Sequence, residues 1–273
     1  MKESRFNFGS CSRQILVWLV ISGIASSAAA TRHQSESDEL LNRARQSYYN
    51  LREAGLVDFQ AIIKPNWNVV VAGTRSSAEA KKVLNRLHFS MSIDAASKLR
   101  VDHHVDVTPS DQKLAEAVEQ MFRQMDDAVS SFFSTWSIFM LTSPFPGLGS
   151  ECRVKQAGGQ YEFSHKEPAS EVVTTTDGNF MIIEMKVTGA DFDGSLKPVF
   201  EKTGKGFVLK GYAANYHSLS GARTTSVKAV LQYEEQHGLQ MLRQVKLDTI
   251  YKGQPAQLEW LFTDYHIQVR DRI

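Results

Sequence analysis

From Ser150 to the end of the chain, glycine recurs at short intervals, and between the glycines apolar residues alternate with polar ones instead of following a helical period. Gly158-Gly159, Asp177-Gly178, Gly189, Gly204 to Gly206, Gly238 and Gly253 punctuate stretches that predict strands near 151–156, 159–165, 170–176, 179–188, 192–200, 206–217, 225–235, 239–251 and 256–269. Consecutive strands joined by tight turns must run antiparallel. Strand twist accumulates across a meander of this length, so the sheet has to curl. The predicted fold class is therefore mainly β with helices (α+β), a curled antiparallel sheet or unclosed β-barrel.

Ahead of the meander the pattern is mixed. Leu40, Leu41, Ala44, Tyr48 and Leu51 recur at helical spacing after Ser37, a predicted N-cap, and Gly55 fits the position just past the helix end. Residues 31–37 read as a polar lead-in, and Val57, Phe59, Ala61 and Ile63 as one face of a strand. A short helix is predicted over 76–87, a strand over Phe89, Met91 and Ile93, and another over 99–107. Residues 110–141 form the second landmark: Leu114, Val118, Met121, Phe122, Met125, Val129, Phe132, Phe133 and Trp136 keep a helical period, which the Pro/Gly-rich stretch from Ser143 to Gly149 stops. The apolar positions spread more widely around this helix than one stripe requires. A curled sheet offers a concave face to receive them.

The first thirty residues carry an export pattern. Lys2, Arg5 and Arg13 against Glu3 precede an apolar run from Ile15 to Ile21, and Ala28, Ala29 and Ala30 supply the small side chains of a cleavage site, placed here after Ala30. The run is too short to span a bilayer, which takes roughly 20 residues. Cys11 precedes the apolar run, so it is not a lipid-modified cysteine. The expected organisation is a signal peptide at 1–30, removed to leave no transmembrane anchor, and a single periplasmic domain over 31–273, secretion being the alternative. Cleavage takes three of the 31 Lys+Arg and one of the 30 Asp+Glu, leaving 28 against 29. That balance gives no electrostatic reason to expect nucleic acid as a partner. Only Cys152 then remains, a small buried hydrophobe by expectation, so no internal disulfide is available.

Motifs of catalysis are missing. The chain has no Gly-x-Ser-x-Gly elbow, phosphate-binding loop, Gly-x-Gly-x-x-Gly fingerprint or His-Glu-x-x-His helix. The one metal-like pattern is Asp102-His103-His104-Val105-Asp106, where Asp102, His104 and Asp106 share a strand face while His103 falls on the apolar side. A solvated polar face explains the same pattern, and the expectation is a non-enzymatic protein without cofactor or metal.

The order of elements adds a resemblance. Ala44-Arg-Gln-Ser-Tyr-Tyr-Asn-Leu51 leading to Val57-Asp-Phe-Gln-Ala-Ile62 looks like the opening helix and first strand of the bacterial outer-membrane lipoprotein carrier and sorting proteins, the LolA/LolB-like superfamily. Val227-Lys-Ala-Val-Leu-Gln-Tyr233, Met241-Leu-Arg-Gln-Val245 and Leu258-Glu-Trp-Leu-Phe-Thr-Asp-Tyr-His-Ile267 look like its closing strands. The resemblance implies an unclosed barrel whose helices cover an apolar cavity for acyl chains, and a carrier or binding role in the periplasm. The helix at 110–141 is long for that family, and none of the family's functional residues is carried over.

The leading functional expectation is thus a lipid- or lipoprotein-binding protein holding acyl chains between the long helix and the sheet. The expected lining is Phe122, Met125, Phe132, Phe133 and Trp136 from the helix, with Met181, Ile183, Met185, Leu258, Trp260 and Phe262 from the sheet. Two alternatives stand beside it: an exported metal-assisted hydrolase built on Asp102, His104 and Asp106, and an envelope scaffold that binds other envelope proteins along a sheet edge.

Overall fold

The structure, a computed structural model, describes residues 31–70, 82–105, 112–219, 223–251 and 253–270. In chain order its elements are helix α1 (Thr31–Gln46), strand β1 (Leu56–Pro65), one helical turn α2 (Trp67–Val70), strands β2 (Leu87–Ile93) and β3 (Leu99–Val105), and helix α3 (Gln112–Met140). The meander follows as β4 (Cys152–Ala157), β5 (Gln160–Glu167), β6 (Ser170–Thr176), β7 (Ile182–Gly189), β8 (Phe192–Thr203), β9 (Gly206–Ser218), β10 (Arg223–Gln236), β11 (Leu239–Tyr251) and β12 (Gln254–Val269). All nine strands expected after Ser150 are present. Two of their hairpins show why the turns are tight. Gly158 and Gly159 (φ 59° and 79°) bridge β4 and β5, and His237 and Gly238 (φ 52° and 77°) bridge β10 and β11. Two consecutive positive φ values match the right-handed twist of the strands they join.

The twelve strands form one antiparallel sheet in the order β3-β2-β1-β12-β11-β10-β9-β8-β7-β6-β5-β4. The amino-terminal strands therefore extend the meander beyond its last strand, through pairs such as Phe59 with Ile267 and Ile63 with Phe262. β3 and β4 are the two free ends, so the sheet curls without closing. Among the described residues no helix is long and apolar enough to cross a membrane.

The amino-terminal region departs from expectation. α1 starts at Thr31, so residues 31–37 belong to the helix and Ser37 is internal to it. It also ends earlier, at Gln46, leaving Tyr48 and Leu51 in the connection to β1. The cause is tertiary: the Tyr49 amide donates to the Phe207 carbonyl (3.0 Å) and the Phe207 amide to the Ser47 carbonyl (2.9 Å), so pairing with β9 replaces the next helical turn. Gly55 (φ 109°) turns the chain into β1 instead of capping the helix. Of the helix predicted over 76–87, positions 76–81 lie outside the described residues, and Leu87 already belongs to β2. Positions 106–107 of the strand at 99–107, and 110–111 of the long helix, also lie outside them.

α3 lies across the concave face, running from β3, where Asp126 meets His103, to β9, where Thr135 hydrogen-bonds Tyr212. The connection between α1 and β1 closes one rim of the sheet. There the Tyr48 hydroxyl donates to the Phe180 carbonyl (2.7 Å) and accepts the Ile182 amide (2.8 Å). Burial among Phe145, Phe200 and Phe207 drives that hydroxyl's pKa far above the ordinary phenol value.

Candidate functional site: an uncharged strip beside helix α3

Along its central stripe α3 meets the sheet side chain to side chain. Phe132 packs edge-on against Trp260 (centroids 5.7 Å), Phe133 against Phe262 (5.9 Å), and the Trp260 indole N–H points at the Met125 sulfur (3.2 Å). The Trp136 indole donates to the Tyr233 hydroxyl at 3.1 Å. Phe122, Met125, Phe132, Phe133, Trp136, Trp260 and Phe262 are all buried. The structure brings these seven residues together, packed against one another between helix and sheet.

The remaining four expected residues divide. Ile183 is 40% exposed and points away from the core, because a register shift between Thr175 and Thr176 pairs the latter with Ile182 and leaves Ile183 bulged outward. Met181 precedes β7 in a turn that the Asp177 carboxylate holds by accepting the Asn179 and Met181 amides (2.9 and 2.8 Å). Met185 and Leu258 lie half-buried on the concave face.

Met185 belongs to a row that the sheet register defines, and Leu258 to the row beside it. Met185 on β7 pairs with Leu196 on β8, Leu196 with Ala214 on β9, Ala214 with Val227 on β10, Val227 with Thr249 on β11, and Thr249 with Ala256 on β12. The next row inward, Tyr212, Ala229 and Leu247, is buried beneath α3, and Leu258 ends it. The next row outward runs Val187, Gly194, Tyr216 and Thr225. Exposure thus increases toward the rim opposite the closed one: Met185, Leu196, Val227, Thr249 and Ala256 are half-buried, although they face the concave side. Neither of the two outer rows carries a charge. Its many small residues keep the floor smooth; Gly194 leaves space that the Tyr216 ring occupies, since a Cβ there would sit 3.0 Å from that ring.

One flank of α3 borders this strip. Met121, Ala128 and Thr135 are spaced seven apart and share a side of the helix, which the Thr135–Tyr212 hydrogen bond turns toward β9. Met121 and Ala128 are half-buried on it, and Ser131, between Ala128 and Thr135, is small. The opposite flank is occupied: the His103 ring stacks on Phe122 (4.1 Å) and its Nδ1 lies 3.4 Å from Asp126. Burial there raises the Asp126 carboxyl pKa, against the opposing pull of His103. Leu196, Ala214, Tyr216 and Val227 were not among the lining residues expected from sequence. Alternation places each on the inner face, but only the register across the hairpins from β7 to β10 lines them up beside Met185.

No family model, curated protein or solved structure matches the chain. The resemblance drawn from sequence therefore rests on the segments that carry it.

Two surface depressions lie away from this strip. One, about 250 Å³, includes Tyr49, Glu53 and Lys205 on the closed rim, and the other, about 420 Å³, includes Asp58, His237 and His266. Charged and polar linings make both poor hosts for an apolar chain. The polar strand face at β3 points outward: Asp102 and His104 are exposed, and His104 Nε2 lies 2.9 Å from Ser90 Oγ. Asp106 lies outside the described residues, among which no three His, Cys, Asp or Glu side chains gather as a metal site.

Cys152 is half-buried, and burial together with the nearby Asp38 charge pushes its thiol pKa up to about 11. A thiol with that pKa stays protonated through neutral pH and reacts only as its small thiolate fraction grows with pH. In a Cys11→Ser chain, alkylation by iodoacetamide at pH 7.5 is expected to run about a hundredfold slower than for an exposed cysteine, and to rise about tenfold per pH unit up to pH 10. Alkylation at the speed of a small-molecule thiol would show that Cys152 is not sheltered.

Proposed function

We propose that the chain is an exported, non-enzymatic binding protein that carries the acyl chain of a lipid or lipoprotein in the groove between α3 and the row from Met185 to Val227. The observation that carries this reading is the uncharged, half-buried concave strip beside a helix whose central stripe is fully packed. From β7 to β10 the row crosses three strand spacings, about 14 Å. An acyl chain laid there removes apolar surface from water at about 25 cal/mol per Å², on the order of 0.8 kcal/mol per fully covered CH₂. The small side chains of the floor let it approach closely, and Met121 and Met185 adapt their shape at the two sides. Periplasmic location and the lipoprotein class of ligand rest on the signal-like amino terminus and the resemblance described from sequence.

Titration with a polarity-sensitive fluorescent fatty acid and with a diacylated lipopeptide tests it. Saturable binding is expected for the wild-type protein. Ala128→Trp, which fills the groove from the helix flank, should weaken binding by about tenfold or more, since it removes at least two methylene-equivalents of contact. Val199→Trp on the outer face should change nothing. A wild-type protein that binds neither probe, or an Ala128→Trp protein that binds as well as wild type, ends the proposal.

A further inference from the structure

β2 and β3 turn the opposite face of the sheet to solvent. Leu87, Phe89, Met91 and Ile93 point inward and are buried, so His88, Ser90 and Ser92 point outward. On β3 the outward positions are Arg100, Asp102 and His104, all exposed. The ladder sets them in pairs: His88 opposite His104, Ser90 opposite Asp102, and Ser92 opposite Arg100. The rings of His88 and His104 are stacked, with centroids 5.3 Å apart and planes 21° from parallel. His104 also reaches diagonally to Ser90, its Nε2 2.9 Å from the hydroxyl oxygen.

We propose that His88 and His104 form a two-imidazole site for a divalent transition-metal ion, Cu(II) in preference to the others. Two imidazoles on one ion place their nitrogens about 2.0 Å from it and so about 3 Å from each other. Rings already stacked face to face on adjacent strands reach that arrangement by side-chain rotation alone, with the strand pairing unchanged. The register supplies what makes a chelate favourable: both ligands are held side by side before the ion arrives, so binding orders little that is not ordered already.

The identity of the ion follows from the ligands. Imidazole suits copper, nickel and zinc, whereas calcium and magnesium require oxygen ligands. With two protein nitrogens and water in the remaining positions, affinity follows the general order that peaks at Cu(II). Asp102 on the same face favours a cation, and Arg100 one pair further along opposes it. The Ser90 hydroxyl competes for His104 Nε2, so removing it frees a ligand. Because this face lies on the other side of the sheet from the groove, acyl binding and metal binding succeed or fail separately.

The experiment is a Cu(II) titration of tag-free protein, followed by calorimetry and by electron paramagnetic resonance. His33→Ala is carried throughout, so that a histidine near the amino terminus does not compete for copper. One saturable site per chain is expected, with a spectrum showing two coordinated nitrogens. His88→Ala and His104→Ala should each weaken binding by at least about tenfold, since loss of a group that merely hydrogen-bonds a metal ligand already costs ~10–100-fold. His103→Ala, on the inward face, should leave binding unchanged, and Ser90→Ala should leave it unchanged or tighten it. Glutamine replaces alanine at either histidine if the alanine chain loses its far-ultraviolet circular dichroism. Absence of a saturable site in the wild-type chain overturns the proposal, and so does a site that survives both histidine replacements.

Discussion

Trp136→Ala is expected to cost the protein about 4 kcal/mol or more, a large fraction of the stability of an ordinary domain. Trp136 is fully buried at the centre of the α3–sheet contact, edge-on to Phe59 (6.3 Å) and Phe133 (5.4 Å). Truncation to alanine removes an indole and leaves a cavity between elements that cannot both move in, a combination that costs ~3–5 kcal/mol for buried aromatics. It also takes away the donor that meets the Tyr233 hydroxyl at 3.1 Å, worth about 1 kcal/mol more. Denaturant unfolding followed by circular dichroism measures the loss as a shift in midpoint with the slope held constant. The result bears on function as well as on folding. If α3 were a lid that lifts away to admit a ligand beneath its central stripe, its packed face would contribute little, and the loss would fall near 1 kcal/mol. A large loss means that the helix stays seated, and the proposed ligand would then have to enter along its flank. Trp136→Phe keeps the ring contacts and should recover more than half of the deficit.

Much of the architecture was legible because it depends on local chemistry. Alternation bounded by glycines identified all nine strands of the meander, and the spacing of Phe122, Phe132 and Trp136 identified α3. What was not legible depends on contacts between distant segments. Ser37 has the chemistry of a helix cap, yet α1 runs through it, and the helix ends where Tyr49 finds Phe207 more than 150 positions away. Ile183 alternates correctly with Met185 in the sequence, but a bulge of one residue sends it to the outer face, since side chains change sides with every position. The candidate site shows the same division. A run of phenylalanine and methionine on a helix says which surface must be sheltered from water. Whether side chains or a ligand do the sheltering depends on how volumes fit across the interface, and the spacing of residues carries no information about that. The structure answers it for the central stripe through Phe132–Trp260 and Phe133–Phe262, and shifts the candidate groove to residues whose alignment depends on register. The histidine pair was half visible. His104 stood out beside Asp102, but its partner His88 emerges only when β2 is laid against β3.

Gly206→Ala is the substitution of a single methyl group with the second largest expected effect. Gly206 has φ 112°, where a side chain is strained, and a Cβ built there would lie 2.8 Å from the Tyr49 nitrogen and 2.9 Å from both the Ser47 oxygen and the Tyr48 carbonyl carbon. All three are backbone atoms, so no rotamer change relieves the clash. Two of them, the Tyr49 nitrogen and the Ser47 oxygen, make the hydrogen bonds to Phe207 that close the rim. Alanine must therefore push the α1–β1 connection off β9. The backbone strain costs about 1–3 kcal/mol, and each broken rim hydrogen bond adds about 1 kcal/mol, for a total of roughly 3–5 kcal/mol. Gly238 is the internal control. Its φ of 77° imposes comparable strain, but nothing lies within 4 Å of a Cβ at that position. Gly238→Ala should cost only about 1 kcal/mol, the penalty of a left-handed backbone by itself. The difference between the two, read from denaturant midpoints, isolates the contact between the connection and the sheet. Equal losses at the two glycines would mean that the connection does not press on β9, and that this rim of the sheet stands open.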